Sequence, residues 1–117
     1  MPILYGIPNC TTVAKARNWL ESHSIEYSFH DYNKLGIDVE HLQKWCAKFG
    51  WEKVLNMQGQ MWRKASDVDK AKVVDEKSAI EFMLRVPTAI KRPIFEIEDG
   101  AILRGFELVD WQSACLK

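Results

Sequence analysis

Three cysteines, at positions 10, 46 and 115, are the side chains of this sequence best suited to covalent chemistry. An odd, widely spaced set does not predict a disulfide framework, and no histidine clusters with them as a zinc site would require. The sequence therefore predicts no metal site. It predicts free thiols, of which a deprotonated one would be a nucleophile.

Cys10 is the predicted nucleophile because of the elements around it. An apolar stretch at residues 3–7 predicts a buried strand that Pro8 stops, and Val13, Ala16 and Leu20 then follow at helical spacing. Cys10 thus falls at a helix N-terminus, where unpaired backbone N–H groups carry about half a positive charge and stabilise a thiolate. The alternative is a small buried hydrophobic residue or a weak N-cap.

Several neighbours of Cys10 could support such a site. Thr11 and Thr12 carry hydroxyl groups, Lys15 carries a positive charge, and Asn9 belongs to the same loop. Together with the helix N-terminus they could hold a thiolate, an oxyanion or a ligand carboxylate.

The other two cysteines are predicted to be structural. Cys46 and Cys115 lie on the apolar faces of their predicted helices, where free cysteine is commonly buried and inert. Position 13 is Val13, so the loop has no Cys-x-x-Cys pair. A redox cycle on Cys10 therefore needs an external thiol such as glutathione, or one of the two distant cysteines.

The elements that must position Cys10 follow the order βαβ, a helical segment, then ββα. This order predicts an α/β protein of thioredoxin-like fold with a four-stranded mixed sheet and a helical insertion. The further predicted elements are a strand at 26–32, a helix from Asp38 to Gly50, short helical turns at 51–74, a helix from Asp75 to Pro87, strands at 93–97 and 101–104 joined at 98–100, and a helix at about 107–116. This last helix places Leu108, Trp111 and Cys115 on one face.

Length and charge limit the classes of function. The 117 residues suffice for one domain, and 16 basic residues balance 16 acidic ones, so neither nucleic acid nor a membrane surface is a predicted partner. The first residues lack the features of a signal peptide, and no apolar run has a membrane-spanning length. The sequence therefore predicts a cytoplasmic protein.

Several stretches resemble the arsenate reductase (ArsC)/Spx family, most closely its YffB branch of small reductase-like proteins. The resemblance covers essentially the whole chain, and its segments are residues 5–12 (YGIPNCTT), 15–20 (KARNWL), 62–64 (WRK), 82–84 (FML) and 91–94 (KRPI). It implies a single domain over 1–117, with a thioredoxin-like core at about 1–35 and 88–117 and a helical insertion at about 36–87. It also implies that Pro93 is a cis-proline facing the active-site loop.

The resemblance further implies site residues. In the arsenate reductases a cysteine attacks the oxyanion and three arginines bind it. Cys10 matches the nucleophile, and Arg92 and Arg104 match two of the arginines. The third falls on Asn56, and a neutral amide cannot replace a bidentate guanidinium. Arg63 is the candidate substitute.

The predicted function is that of a thiol-redox enzyme, a glutathione-dependent thiol reductase that binds no cofactor and uses glutathione as co-substrate. The other substrate is a small-molecule or protein thiol. Two alternatives stay open: arsenate reductase proper, and a non-catalytic regulator that binds RNA polymerase as Spx proteins do. The latter ranks lower, since Val13 removes the Cys-x-x-Cys switch that Spx proteins commonly carry.

Overall fold

The computed structural model describes residues 1–98 and 100–116, and the described chain forms two compact units. The sheet unit comprises Met1–Leu35 and the described part of 92–117. The helical unit comprises Gly36–Lys91. The number of domains stays a prediction.

The sheet unit contains the predicted four-stranded mixed sheet. Its strands are β1 (Ile3–Gly6), β2 (Ser28–Asp31), β3 (Ile94–Glu96) and β4 (Ile102–Arg104), in the order β2-β1-β3-β4. Strands β1 and β2 are parallel, whereas β3 pairs antiparallel with both β1 and β4. The predicted α/β fold is therefore confirmed.

Two helices pack on one face of this sheet. Helix α1 spans Thr11–Ser22 and buries Val13, Ala16 and Leu20 against Leu4 of β1 and Phe95 of β3, which pair across the sheet. The last helix, α8 (Leu108–Cys115), adds Trp111 to this core. Because side chains alternate along a strand, the neighbours Tyr5 and Ile94 belong to the opposite face.

Trp111 ties α8 to β3 and to the end of β4. Its indole stacks on Phe95 with ring centroids 4.8 Å apart, and its Nε1–H donates to the carbonyl of Gly105 at 2.9 Å. The prediction that Leu108, Trp111 and Cys115 lie on one face of this helix agrees with their spacing, but of the three only Trp111 is fully buried. Leu108 is 46% exposed, whereas Cys115 is half-buried and packs against the core that contains Trp111.

The helical unit is built from short helices with well-defined ends. It contains α3 (Val39–Phe49), α4 (Trp51–Val54), α5 (Gln60–Arg63), α6 (Asp67–Lys72), α7 (Glu76–Arg85) and a 3₁₀ helix (Pro87–Ala89). The predicted N-caps are confirmed: Asp38 accepts from the N–H of His41 and Asp75 from that of Ser78. Gly50 follows α3 with φ of 88°, a conformation that favours glycine.

Two local predictions need correction or restriction. The second strand ends at Asp31, and Tyr32, predicted as a strand residue, instead opens a short helix, α2 (Tyr32–Leu35). Of the predicted hairpin turn, Asp99 lies outside the described residues. Gly100 has φ of 89°, and the Ile97 N–H donates to the carbonyl of Ala101 at 2.8 Å.

In the part of the chain that the structure describes, each helix is too short or too polar to cross a bilayer.

Candidate functional site

The sheet register brings the predicted site residues of the sheet unit to one end of the sheet. Gly6 pairs with Asp31, so β1 and β2 end together. Ile94 pairs with both Tyr5 and Arg104, so β3 begins and β4 ends beside them. The loop that carries Cys10, the start of α2, the Arg92–Pro93 segment and the end of β4 therefore meet at this end.

Cys10 is the N-cap of α1. Its backbone is extended (φ −110°, ψ 127°), and its carbonyl accepts the N–H of Ala14 at 2.9 Å. The Sγ makes no capping hydrogen bond, and the half-buried side chain is a free thiol packed against the core. The first-turn N–H groups of α1 have no acceptor within the helix, so the thiol lies at its positive end.

Gly6 lets the end of β1 approach the first turn of α1 closely. A Cβ at this position would lie 2.8 Å from Cγ2 of Val13 and 3.3 Å from its Cγ1, closer than packed atoms tolerate. The glycine therefore sets the distance between the strand and the helix that Cys10 caps. Sequence reasoning missed this role, since Gly6 looked like an ordinary strand residue.

The Arg92–Pro93 peptide bond is cis, as the family resemblance implied. Pro93 is buried, and its carbonyl accepts the N–H of Gly105 at 2.8 Å, extending the β3–β4 ladder by one step. Arg92 is half-buried. This segment precedes β3 at the sheet end where β1 stops before the Cys10 loop.

Tyr32 is a residue of this region that sequence reasoning missed. It is fully buried and within electrostatic reach of Arg92, Cys10 and Asp31. Burial raises the pKa of its phenol far above the usual value; Arg92 lowers that pKa, and Cys10 and Asp31 raise it further. The phenol is therefore a neutral hydrogen-bonding group. Its place directly after the strand parallel to β1 was the available signal.

Arg104 lies at the sheet end that carries the Cys10 loop, but its side chain belongs to the sheet face opposite the one that α1 covers. As the β4 partner of Ile94, it belongs with Tyr5 to the face opposite Leu4 and Phe95, against which α1 packs. It is half-buried. Its role beside Cys10 stays a prediction.

The smaller polar groups of the Cys10 loop are open to solvent. Asn9 lies before Cys10, and Thr11, Thr12 and Lys15 occupy the first turns of α1, all with exposed side chains. They are available to a ligand. Their predicted binding roles stay predictions.

The other two thiols occupy less reactive positions. Cys46 is buried on α3, and burial, with a smaller contribution from Glu76, raises its pKa to about 11. Cys115 is half-buried on α8, and burial raises its pKa too. Both are free thiols that form little thiolate near neutral pH. Among the described residues, moreover, no three His, Cys, Asp or Glu side chains group as metal ligands.

A model of the ArsC family matches residues 5–113. The chain belongs to the ArsC family. The chain is also similar to solved structures over its full length. The solved structure of the YFFB protein shares 48% sequence identity with it, with 100% of both chains covered and a TM-score of 0.91. An arsenate reductase (ArsC)-related protein from Brucella melitensis shares 41% identity, with 99% of this chain and 94% of that one covered and a TM-score of 0.74.

Relatives of this ArsC-family chain include proteins of different kinds. A protein from Haemophilus influenzae is 39% identical over 114 residues, which cover 97% of this chain and 98% of that protein. The global transcriptional regulator Spx of Enterococcus faecalis is 27% identical over 109 residues, which cover 91% of this chain and 80% of the regulator. The chain therefore has both arsenate-reductase-like and Spx-like homologues.

Asn56, which the resemblance predicts to stand at a family arginine position, forms local hydrogen bonds in the helical unit. Its Oδ1 accepts the N–H of Gln58 at 3.3 Å, and its carbonyl accepts the N–H of Gly59 at 3.1 Å. This arrangement is an Asx turn that leads into α5. Arg63, the candidate substitute for the arginine, is exposed at the end of α5, and its substitution for the missing guanidinium stays a prediction.

Proposed function

We propose that this ArsC-family protein is a glutathione-dependent thiol reductase in which Cys10 is the nucleophile. The proposal rests on the contrast between the three thiols. Cys10 caps α1 with its Sγ unused, whereas burial raises the pKa of Cys46 to about 11 and also raises that of Cys115. The reducing cytoplasm, where we expect the protein to work, would keep all three thiols free.

The reaction has two exchange steps. The Cys10 thiolate attacks the glutathione sulfur of a mixed disulfide between glutathione and a substrate thiol. A bond between Cys10 Sγ and glutathione forms, and the substrate leaves as a thiolate that takes a proton from water. The thiolate of a second glutathione then attacks the sulfur of the bound one. Oxidised glutathione leaves and the Cys10 thiolate is restored, so the cycle releases the reduced substrate thiol and consumes one reduced glutathione, which joins the glutathione of the mixed disulfide in oxidised glutathione.

The chain's own groups would support both steps. The N-terminal end of α1 stabilises the thiolate that attacks first and leaves last. Arg92 and Lys15 are cations that could pair with the two carboxylates of glutathione. The cis Arg92–Pro93 segment lies at the same end of the sheet, where an extended peptide such as glutathione could lie beside it.

The decisive experiment exposes the reduced protein to oxidised glutathione near neutral pH. Intact mass and peptide mapping should find one glutathione on Cys10, which excess reduced glutathione removes. Cys46→Ser and Cys115→Ser should form the same adduct, whereas Cys10→Ser should form none and lose reductase activity. An unmodified Cys10, or a Cys10→Ser variant that keeps glutathione-linked activity, would rule the proposal out.

Arsenate reduction is the first alternative, and the same protein preparation tests it. Asn56 cannot supply the bidentate contact of an arginine, and its side-chain oxygen is used by Gln58. We therefore expect no arsenate turnover with glutathione and a glutaredoxin. Turnover that depends on Cys10, Arg92 and Arg104 would replace the thiol reductase by arsenate reductase proper.

The second alternative is a binding module that does not catalyse. The similarity to the Enterococcus regulator favours it, and the valine at position 13 disfavours the dithiol switch. Capture of RNA polymerase subunits from a cell extract, together with the absence of a Cys10 adduct, would establish this function instead.

A further inference from the structure

A concave region of the sheet unit lies away from Cys10. This pocket, here called the Arg17 pocket, has a volume of about 490 Å³ and is lined by Met1, Arg17, Glu21, Ile25, Glu26, Tyr27 and Phe29. Its volume falls within the range of small-molecule sites. Ile25, Glu26 and Tyr27 precede β2, whose first residue pairs with the first residue of β1, so the pocket lies toward the sheet end opposite Cys10.

The guanidinium of Arg17 is held in a fixed orientation in this pocket. Its Cζ lies 4.2 Å from the ring centroid of Phe29, and its Nε–H donates to the hydroxyl of Tyr27 at 3.0 Å. The Tyr27 hydroxyl in turn donates to Oε2 of Glu21 at 3.0 Å. Stacking and this hydrogen-bond relay therefore orient the planar group without using the donors at its tip.

The Nη donors of Arg17 are available to a ligand. Within residues 1–98 and 100–116, the only hydrogen bond of the Arg17 side chain is the one from Nε to Tyr27. An arginine fork that is already oriented binds a carboxylate through two parallel hydrogen bonds and loses little side-chain freedom in doing so.

The pocket also has a carboxylate, that of Glu26, which a positively charged ligand group could bind. Over the same described residues, the carboxylate of Glu26 forms no hydrogen bond or ion pair, while the amino group of Met1 is paired with Glu98. Counting Arg17 as positive and Glu21 and Glu26 as negative, the pocket carries one net negative charge. This balance opposes a phosphate dianion and favours a ligand that brings an ammonium group with its carboxylate.

Apolar side chains also contribute to the lining of the pocket. The side chains of Ile25, Tyr27 and Phe29 supply aliphatic and aromatic surface on which an apolar ligand body can lie.

We propose that the Arg17 pocket binds a small zwitterion with an apolar body, namely an amino acid or a dipeptide, through a carboxylate on Arg17 and an ammonium group on Glu26. This site is separate from Cys10 and does not depend on the thiol chemistry. A purely structural role for the Arg17–Tyr27–Glu21 relay would leave such ligands unbound.

The test is a titration of the ¹⁵N-labelled full chain, followed by the amide and arginine Nε–H signals. L-Phenylalanine and L-phenylalanylglycine are the two probes, and the tighter one identifies the ligand as amino acid or dipeptide. Saturable shifts at Ile25, Glu26, Tyr27 and the Nε–H of Arg17 are expected. Phenylpropionate lacks the ammonium group and phenethylamine lacks the carboxylate, so each should bind at least about tenfold more weakly.

Variants add a second measure. Arg17→Lys keeps the charge but removes the fork, and should weaken binding about tenfold. Arg85→Lys is the matched control, because Arg85 also lies over an aromatic ring, Phe82, at 5.7 Å, but in the helical unit. Cys10→Ser should bind as the wild type does, so a failure of the thiol reductase proposal would not affect this result.

Three outcomes would overturn the proposal. The first is the absence of saturable shifts up to about 10 mM of either probe, well above usual metabolite affinities. The second is equal binding of the analogues that lack one charge, which needs only the wild-type chain. The third is equal binding by Arg17→Lys.

Discussion

The Cys10 region of the sheet unit and the helix ends of the helical unit are defined by different kinds of contact. In the sheet unit, the pairs Tyr5–Ile94 and Ile94–Arg104 join segments that are distant in sequence or lie on separate strands. In the helical unit, Asp38 and Asp75 each cap a helix by accepting an N–H three residues ahead. Long-range pairing assembles the Cys10 region, whereas local hydrogen bonds define the ends of the helices in the other unit.

The two units also give their cysteines different environments. Cys10 lies at an exposed helix start, among backbone donors that the strand register brings to one end of the sheet. Cys46 lies inside a helical face beside Leu42 and Trp45, all three buried. The same side chain is thus a candidate nucleophile in one unit and a packing residue in the other.

The largest expected effect tests this contrast directly. With its pKa raised to about 11, Cys46 is a thiolate in only about one molecule in ten thousand near pH 7. The raised pKa and the burial of Cys46 should therefore make it react with iodoacetamide at least about a hundredfold more slowly than Cys10 in the folded protein. Timed alkylation and peptide mass mapping measure both rates.

Unfolding the protein in urea provides the control for this experiment. The burial that raises the pKa of Cys46 and shields its sulfur is then lost, so the two rates should converge. Similar alkylation rates of Cys10 and Cys46 in the folded protein would contradict the contrast between a reactive and a packing cysteine.

An intermediate effect is expected from Gly6→Ala. The new Cβ would lie 2.8 Å from Cγ2 of Val13, so β1 and α1 must separate or strain. We expect a loss of about 1–3 kcal/mol in the free energy of unfolding, measured by urea denaturation, and slower alkylation of Cys10 as the helix start shifts.

The double variant Gly6→Ala/Val13→Ala supplies the matched comparison. Removing the two Cγ methyl groups relieves the clash, so part of the stability and of the Cys10 reactivity should return. Effects that simply add would mean that Gly6 does not position the helix through Val13.

The smallest effect concerns a helix cap in the helical unit. Hydrogen bonds from Ser78 hold the pKa of Asp75 below its usual value. Its carboxylate therefore stabilises the fold above about pH 3.9, and this stabilisation is lost as the pH falls through the lower folded-state value. Asp75→Ala should lower the thermal midpoint at about pH 6, and the difference from wild type should vanish in strong acid.

Ser78→Ala gives the corresponding check on the partner. Without the serine hydroxyl, the pKa of Asp75 should move back toward its usual value, so the pH at which stability falls should rise. A difference between Asp75→Ala and wild type that is independent of pH would contradict a role for the charge.

Local sequence signals predicted the helix ends, whereas features that depend on strand pairing were harder to predict. Caps such as Asp38 and Asp75 and the glycine after α3 are local signals, and they predicted the helix ends closely. The order of elements predicted the mixed sheet, and Cys10 was placed correctly at the start of α1. These inferences need only neighbouring residues and general connection rules.

The remaining features depend on pairing that no local pattern encodes. The face of Arg104 follows from its register with Ile94, and the importance of Gly6 follows from its distance to Val13. Tyr32 was assigned to a strand because aromatic and polar residues alternate before it, yet the pairing with β1 stops at Asp31. Its place at the end of the strand parallel to β1 pointed toward Cys10, but the alternating pattern assigned it to the strand itself.

The turn at Asn56 also constrains the routes by which this chain can mutate. Arginine at position 56 would leave the N–H of Gln58 without its acceptor, and a Cβ at position 59 would lie 2.7 Å from the Asn56 amide nitrogen. A side chain at position 59 would therefore collide with that of Asn56, and a change of Asn56 would alter this collision. The cost of replacing Gly59 thus depends on the residue at position 56, so the effects of substitutions at these two sites are expected to be non-additive.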